Sequence, residues 1–102
     1  MDSAVGKLKD LLEDNSVSVM ERAGSILMDD ANLMKALAIV RRYNIMPLGL
    51  EGFHLDGERL TPIMEMIVDT AGAQSVHEAV DFIQHAVTSQ GDKTLLYELI
   101  VA

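Results

Sequence analysis

Residues 44–60 read Asn44-Ile45-Met46-Pro47-Leu48-Gly49-Leu50-Glu51-Gly52-Phe53-His54-Leu55-Asp56-Gly57-Glu58-Arg59-Leu60, and the reading of this stretch decides the fold. Pro47, Gly49, Gly52 and Gly57 deny it an uninterrupted helix: proline lacks an amide hydrogen and glycine loses the most entropy on ordering. Yet Ile45, Met46, Leu48, Leu50, Phe53 and Leu55 make it as apolar as its flanks, unlike a disordered linker. Asp56-Gly57 is a turn pair that predicts a short hairpin with Phe53 opposite Leu60. The expectation is an irregular apolar segment set between helices.

Upstream, three helices are predicted. Ser3 caps the first, whose Ala4, Val5, Leu8, Leu11 and Leu12 share one arc, and Asn15-Ser16 ends it. Ser18 with Glu21 has capping-box spacing and opens a second, with Val19, Met20, Ala23, Ile26 and Leu27 on one face. Asp29-Asp30 starts a third, striped by Leu33, Ala36, Leu37, Ile39, Val40 and Tyr43 and closed by Arg41-Arg42. Its acidic start and basic end both suit the helix dipole.

Downstream, Thr61-Pro62 reads as a cap followed by proline at the first helical position, with Ile63, Met64, Ile67, Val68 and Ala71 as the stripe. Ser75 and Glu78 form another capping box, opening a helix with Val76, Ala79, Val80, Phe82, Ile83, Ala86 and Val87 on its apolar side, which Gly91 stops. Thr94 to Ala102 is apolar at almost every position; helix is the expected state. Val19-Met20-Glu21 with Asn32 to Val40 is echoed by Ile63-Met64-Glu65 with Ser75 to Ile83, which suggests two helical hairpins on one plan. The predicted fold is therefore all-α: a single domain over residues 1–102, a compact bundle of five to six short helices.

The 102 residues are 49% hydrophobic but only 4% aromatic, so the core must be aliphatic, with seven Met as adaptable filler. No Cys means no disulfide framework and no thiol nucleophile, and a cytoplasmic setting is expected. The first residues, charged at Asp2, Lys7, Lys9 and Asp10, carry no apolar run suited to a signal peptide or a membrane span. The formal charge of −8 disfavours nucleic acid and anionic membranes, which need Lys and Arg to displace counterions.

Catalytic constellations are sparse. His77, Asp81 and His85 follow one another at helical spacing, which could place a pair on zinc, but Glu78, Gln84 and Thr88 share that side and describe a solvated face. His54 sits near Asp56 and Glu58, which could orient a general base, although no nucleophile accompanies it. Gly91-Asp92-Lys93-Thr94 lacks the glycines of a phosphate loop, and Gly49, Gly52 and Gly57 have the wrong spacing for a dinucleotide loop. A helix-turn-helix over Val19 to Tyr43, with Lys35, Arg41 and Arg42, would give a DNA-binding transcription regulator. Asp29 and Asp30 would then sit where phosphates approach.

These observations predict no catalytic residues, no cofactor and no metal. The function expected is a small acidic protein-interaction module, an adaptor, inhibitor or regulator of another macromolecule. Leu48, Leu50, Phe53, Leu55, Leu96 and Ile100 are the candidate partner-binding residues. Self-association as a homodimer is also expected, because a terminal helix apolar on all sides cannot be covered from one side.

Overall fold

Three helices and five strands follow one another in the computed structural model, which describes residues 4–22 and 24–102, with side chains from residue 7 onward apart from residue 23. Helix α1 (Ala4–Asp14) leads into strands β1 (Met20–Arg22) and β2 (Ser25–Leu27), then α2 (Asp30–Arg42). Strands β3 (Pro47–Asp56) and β4 (Arg59–Asp69), helix α3 (Val76–Gln90) and strand β5 (Leu96–Val101) complete the order. The chain is thus mixed α and β, and the expected all-α bundle is overturned. The proposed cap at Ser3 and the side chains of Ala4, Val5 and Ala23 lie outside the described residues.

β3 is the centre of an antiparallel sheet of order β4-β3-β5. Beyond β5, Met28 and Tyr97 exchange both backbone hydrogen bonds, at 2.9 and 2.8 Å, which ties the small β1–β2 hairpin to the sheet. In antiparallel strands directly opposed residues share a face, so register assigns the two faces. Leu50 is opposed by Val68 on one side and Leu99 on the other, and Gly52 is opposed by Tyr97. This is the inner face. Leu50, Tyr97 and Leu99 join one core with Leu8 and Leu12 of α1, Leu33, Leu37 and Val40 of α2, and Val80, Ile83 and Val87 of α3.

The central segment is a strand because its glycines are packing positions. A Cβ on Gly52 would stand 2.7 Å from Met66 Cβ, and one on Gly49 would stand 2.8 Å from the Val68 carbonyl oxygen. Close approach, not a turn, demands glycine there. Between Glu51 and Phe53 β3 has Gly52 alone, whereas between their partners Ile67 and Pro62 β4 carries Ile63 to Met66, so β4 bulges outward here. The predicted turn exists, but Phe53 faces Pro62 and Leu55 faces Leu60, with Gly57 at φ 63° in the two-residue connection.

Three expected helices are corrected. In place of the expected helix after Ser18, β1 and β2 pair, with Met20 opposite Leu27 and Arg22 opposite Ser25; Gly24 at φ 84° breaks any helix. The Ser18–Glu21 signature fails because the Ser18 backbone N–H donates to Asn32 Oδ1, outside its own segment. Thr61-Pro62 opens no helix: β4 is a sheet edge, where a residue without an amide hydrogen leaves the ladder intact. The terminal segment is strand β5, with its Tyr97 and Leu99, and Leu95 just before it, buried. The internal echo falls on a strand and then a helix in each copy, so helical hairpins are not what is repeated.

The other helix signals hold. Asp29 caps α2 by accepting from the Asn32 backbone N–H, and Ser75 caps α3 by accepting from Glu78 N–H. Gly91 ends α3 at φ 77°, and Ser16 at φ 65° follows α1. Phe82 and Tyr43, expected in apolar stripes, are 59% and 49% exposed.

Candidate interaction surface

The outer face of the sheet follows from the same register. Glu51 is opposed by Ile67 of β4 and by Glu98 of β5; Phe53 is opposed by Pro62 and Leu96; Gly49 is opposed by Asp69 and Ile100. The apolar stripes of the helices lie against the inner face, so these side chains point away from them. Ile67 is 49% exposed and Ile100 37%, while Phe53, Leu55, Leu60 and Leu96 are half-buried among their strand neighbours without joining the main core. Exposed and half-buried apolar side chains therefore surround carboxylates on this face.

Of the residues expected to bind a partner, Phe53, Leu55, Leu96 and Ile100 meet on this face. Leu48, 38% exposed, sits at the bulge between Pro47 and Gly49. Leu50 is fully buried against the helices and is a core residue. Sequence reasoning missed Ile67, because the segment holding it was read as a helix. Its own segment carries no period-2 signal, since Ile63, Met64, Met66, Ile67 and Val68 are apolar in both strand phases.

Glu51 and Glu98 stand side by side in the middle of this face, and among the described residues neither has a hydrogen-bond or ion-pair partner. Like charges directly opposed across a strand pair oppose folding. Leu96 also lines a recess of about 240 Å³ with Met20 and Leu27 of the β1–β2 hairpin and with Asp29 and Asn32 at the start of α2.

Polar clusters elsewhere have structural work. Arg41 Nη2 on α2 donates to Asp81 Oδ1 on α3 at 2.6 Å, and His77 Nε2 lies 3.6 Å from Asp81 Oδ2, so this helix face is a clasp between helices as well as a wet surface. His85 is exposed. Among the described residues no three His, Asp or Glu side chains gather as a metal-ligand set. His54 is exposed on β3, opposite Thr61. Asp92 accepts from both the hydroxyl and the amide of Thr94, which lowers its carboxyl pKa from the ordinary value and closes the turn after α3. Lys93 Nζ meets Asp30 Oδ2 at 2.7 Å.

Among the described residues, Tyr97 is the one aromatic ring fully inside. Gln90 Nε2 donates to its hydroxyl oxygen at 2.6 Å, and burial, with the Asp30 carboxylate adding to it, pushes the phenol's pKa up. The helix-turn-helix reading loses its first helix to the β1–β2 hairpin, and Arg41 is already committed to Asp81. Among the described residues no helix is long and apolar enough to cross a membrane. Comparison with protein-family models finds no match, and comparisons with curated proteins and with solved structures likewise find none.

Proposed function

We propose that the protein is a non-enzymatic interaction module, an adaptor, inhibitor or regulator, that binds another protein through the helix-free face of its sheet. The observation that carries this reading is the register itself. It gathers Phe53, Pro62, Ile67, Leu96 and Ile100 on the side of the sheet opposite the helices. Three-stranded sheets are ordinarily apolar on the packed side and polar on the wet one. Here the wet side is apolar except for carboxylates.

The occupant this face suits is a protein of opposite charge. The ionisable residues at its paired positions, Glu51, Asp69 and Glu98, are all acidic, and the chain carries −8 overall. A second copy is less suited, since a two-fold axis through the patch would bring the glutamates of both copies together. The expectation of a homodimer rested on a terminal helix, and as a strand that segment covers half of itself inside the chain. Edge pairing through β4 is also opposed, by Pro62 and by the bulge. A cytoplasmic setting belongs to the same reading.

Affinity capture from the native host tests it with Ile67→Ser and Ile100→Ser against wild type, and Phe82→Ser as a control on α3. The reading expects a partner retained by wild type and Phe82→Ser but lost by both face variants. Capture that depends on Phe82 alone would move the surface to the helices. A mass by light scattering that doubles with concentration and reverts in the face variants would make the partner a second copy.

A further inference from the structure

We infer that the partner places a cationic side chain, Arg or Lys, between Glu51 and Glu98, flanked by apolar residues that cover Phe53, Leu96 and Ile100; this rests on the sheet face being the interaction surface. The two glutamates are direct cross-strand partners. On one side of them lies the Phe53–Leu96 pair and on the other the Gly49–Ile100 pair, so the carboxylates are framed by apolar side chains along both strands. Across β3, Ile67 closes the third side.

Among the described residues no basic side chain pairs with either carboxylate. Lys9 is held by Glu21 at 3.0 Å, Arg41 by Asp81 and Lys93 by Asp30, and Arg22 Nη1 donates to the Glu58 carbonyl at 3.0 Å. At the paired positions of the outer face no basic residue occurs. An approaching apolar surface without a cation would strip water from two adjacent carboxylates and leave them uncompensated, which is strongly unfavourable. An approaching cation reverses the sign. A guanidinium suits the site best, because its planar fork can hydrogen-bond two carboxylates at once and its face can lie on the Phe53 ring. Specificity then comes from the same two groups that weaken the free protein, since neutral or acidic segments are rejected.

The probe is a random linear peptide library displayed on phage and selected on the full chain, with binding of the enriched peptides measured by calorimetry. The expected winners carry Arg or Lys between apolar residues. They bind about tenfold or more weakly to the double variant Glu51→Gln with Glu98→Gln, which keeps shape and removes charge, and their affinity falls with added salt. Peptides that depend on Phe53 and Ile100, tested with Phe53→Ser and Ile100→Ser, but lack a basic residue and bind the glutamine variant unchanged would overturn this inference and leave the face reading standing. Winners indifferent to Phe53→Ser and Ile100→Ser alike, or no enrichment at all, would overturn both. Proton NMR of each variant, showing the dispersed signals of the wild-type fold, separates lost binding from lost folding.

Discussion

Gly52 lies directly beneath Met66, so that a Cβ added to the glycine would come within 2.7 Å of the methionine Cβ and 3.5 Å of the Tyr97 ring. The contact joins the centre of the sheet to its bulged edge, and it fixes where the extra residues of β4 go. Gly52→Ala is expected to destabilise the protein by about 1–3 kcal/mol, the usual cost of forcing volume into a packed site. Chemical denaturation checks it. Combining Gly52→Ala with Met66→Ala should cost less than the sum of the two single changes, because the second removes the side chain the first collides with.

Tyr97 gives the fold a limit on the alkaline side. Its phenol is buried and its pKa raised above the ordinary value of 10.0, so the folded state holds the proton that the unfolded state releases. The folded form therefore binds more protons above pH 10, and stability should fall as pH rises from that ordinary value toward the raised one. Below pH 10 this contribution is fully present. Alkaline titration followed together by phenolate absorbance and circular dichroism should show one phenolate component appearing only with unfolding. Tyr97→Phe should remove that component and the share of the pH dependence it carries.

The caps of α2 and α3 should each be worth about 1 kcal/mol, since Asp29 and Ser75 each satisfy a helix amide that would otherwise lack a partner. Asp29→Ala and Ser75→Ala lower the denaturation midpoint accordingly. Ser18→Ala is expected to leave it nearly unchanged, although its sequence signature resembles that at Ser75: the bond at Ser18 runs through its backbone N–H.

That contrast shows what the sequence made legible. Caps, stripes and the stop at Gly91 located α1, α2 and α3 because each was accompanied by an apolar period near 3.6. Strands were lost where helix-start chemistry met short apolar runs. Thr61-Pro62 followed by Ile63 to Val68 satisfies a helical stripe on paper, and only long-range pairing with β3 decides against it. Leu95 to Val101 is hidden from either period because both of its faces carry apolar residues, one buried in the core and one on the open face. Of the candidate surface, Phe53, Leu55, Leu96 and Ile100 could be named from apolarity, as could Leu50, which packs in the core. Which face a strand residue occupies depends on register that composition does not contain.

Relief of the carboxylate pair should be visible without a partner. Glu98→Gln removes one of two directly opposed like charges and is expected to stabilise the free protein by about 0.2–1 kcal/mol, more at low salt than at high. A loss of stability on this change would mean that Glu98 makes a favourable contact in the free chain.

The proposal that the helix-free face is where a protein partner sits is tested most directly by methyl NMR of the full chain, with isoleucine and leucine methyls labelled, during titration with a peptide enriched by display. Shifts concentrated at Ile67, Leu96 and Ile100, with Ile83, Leu33 and Leu37 of the core unmoved, are the predicted result. Shifts confined to Leu8 and Leu11, which line the recess of about 210 Å³ between α1 and the end of β5, with Ile67 and Ile100 silent, would contradict it.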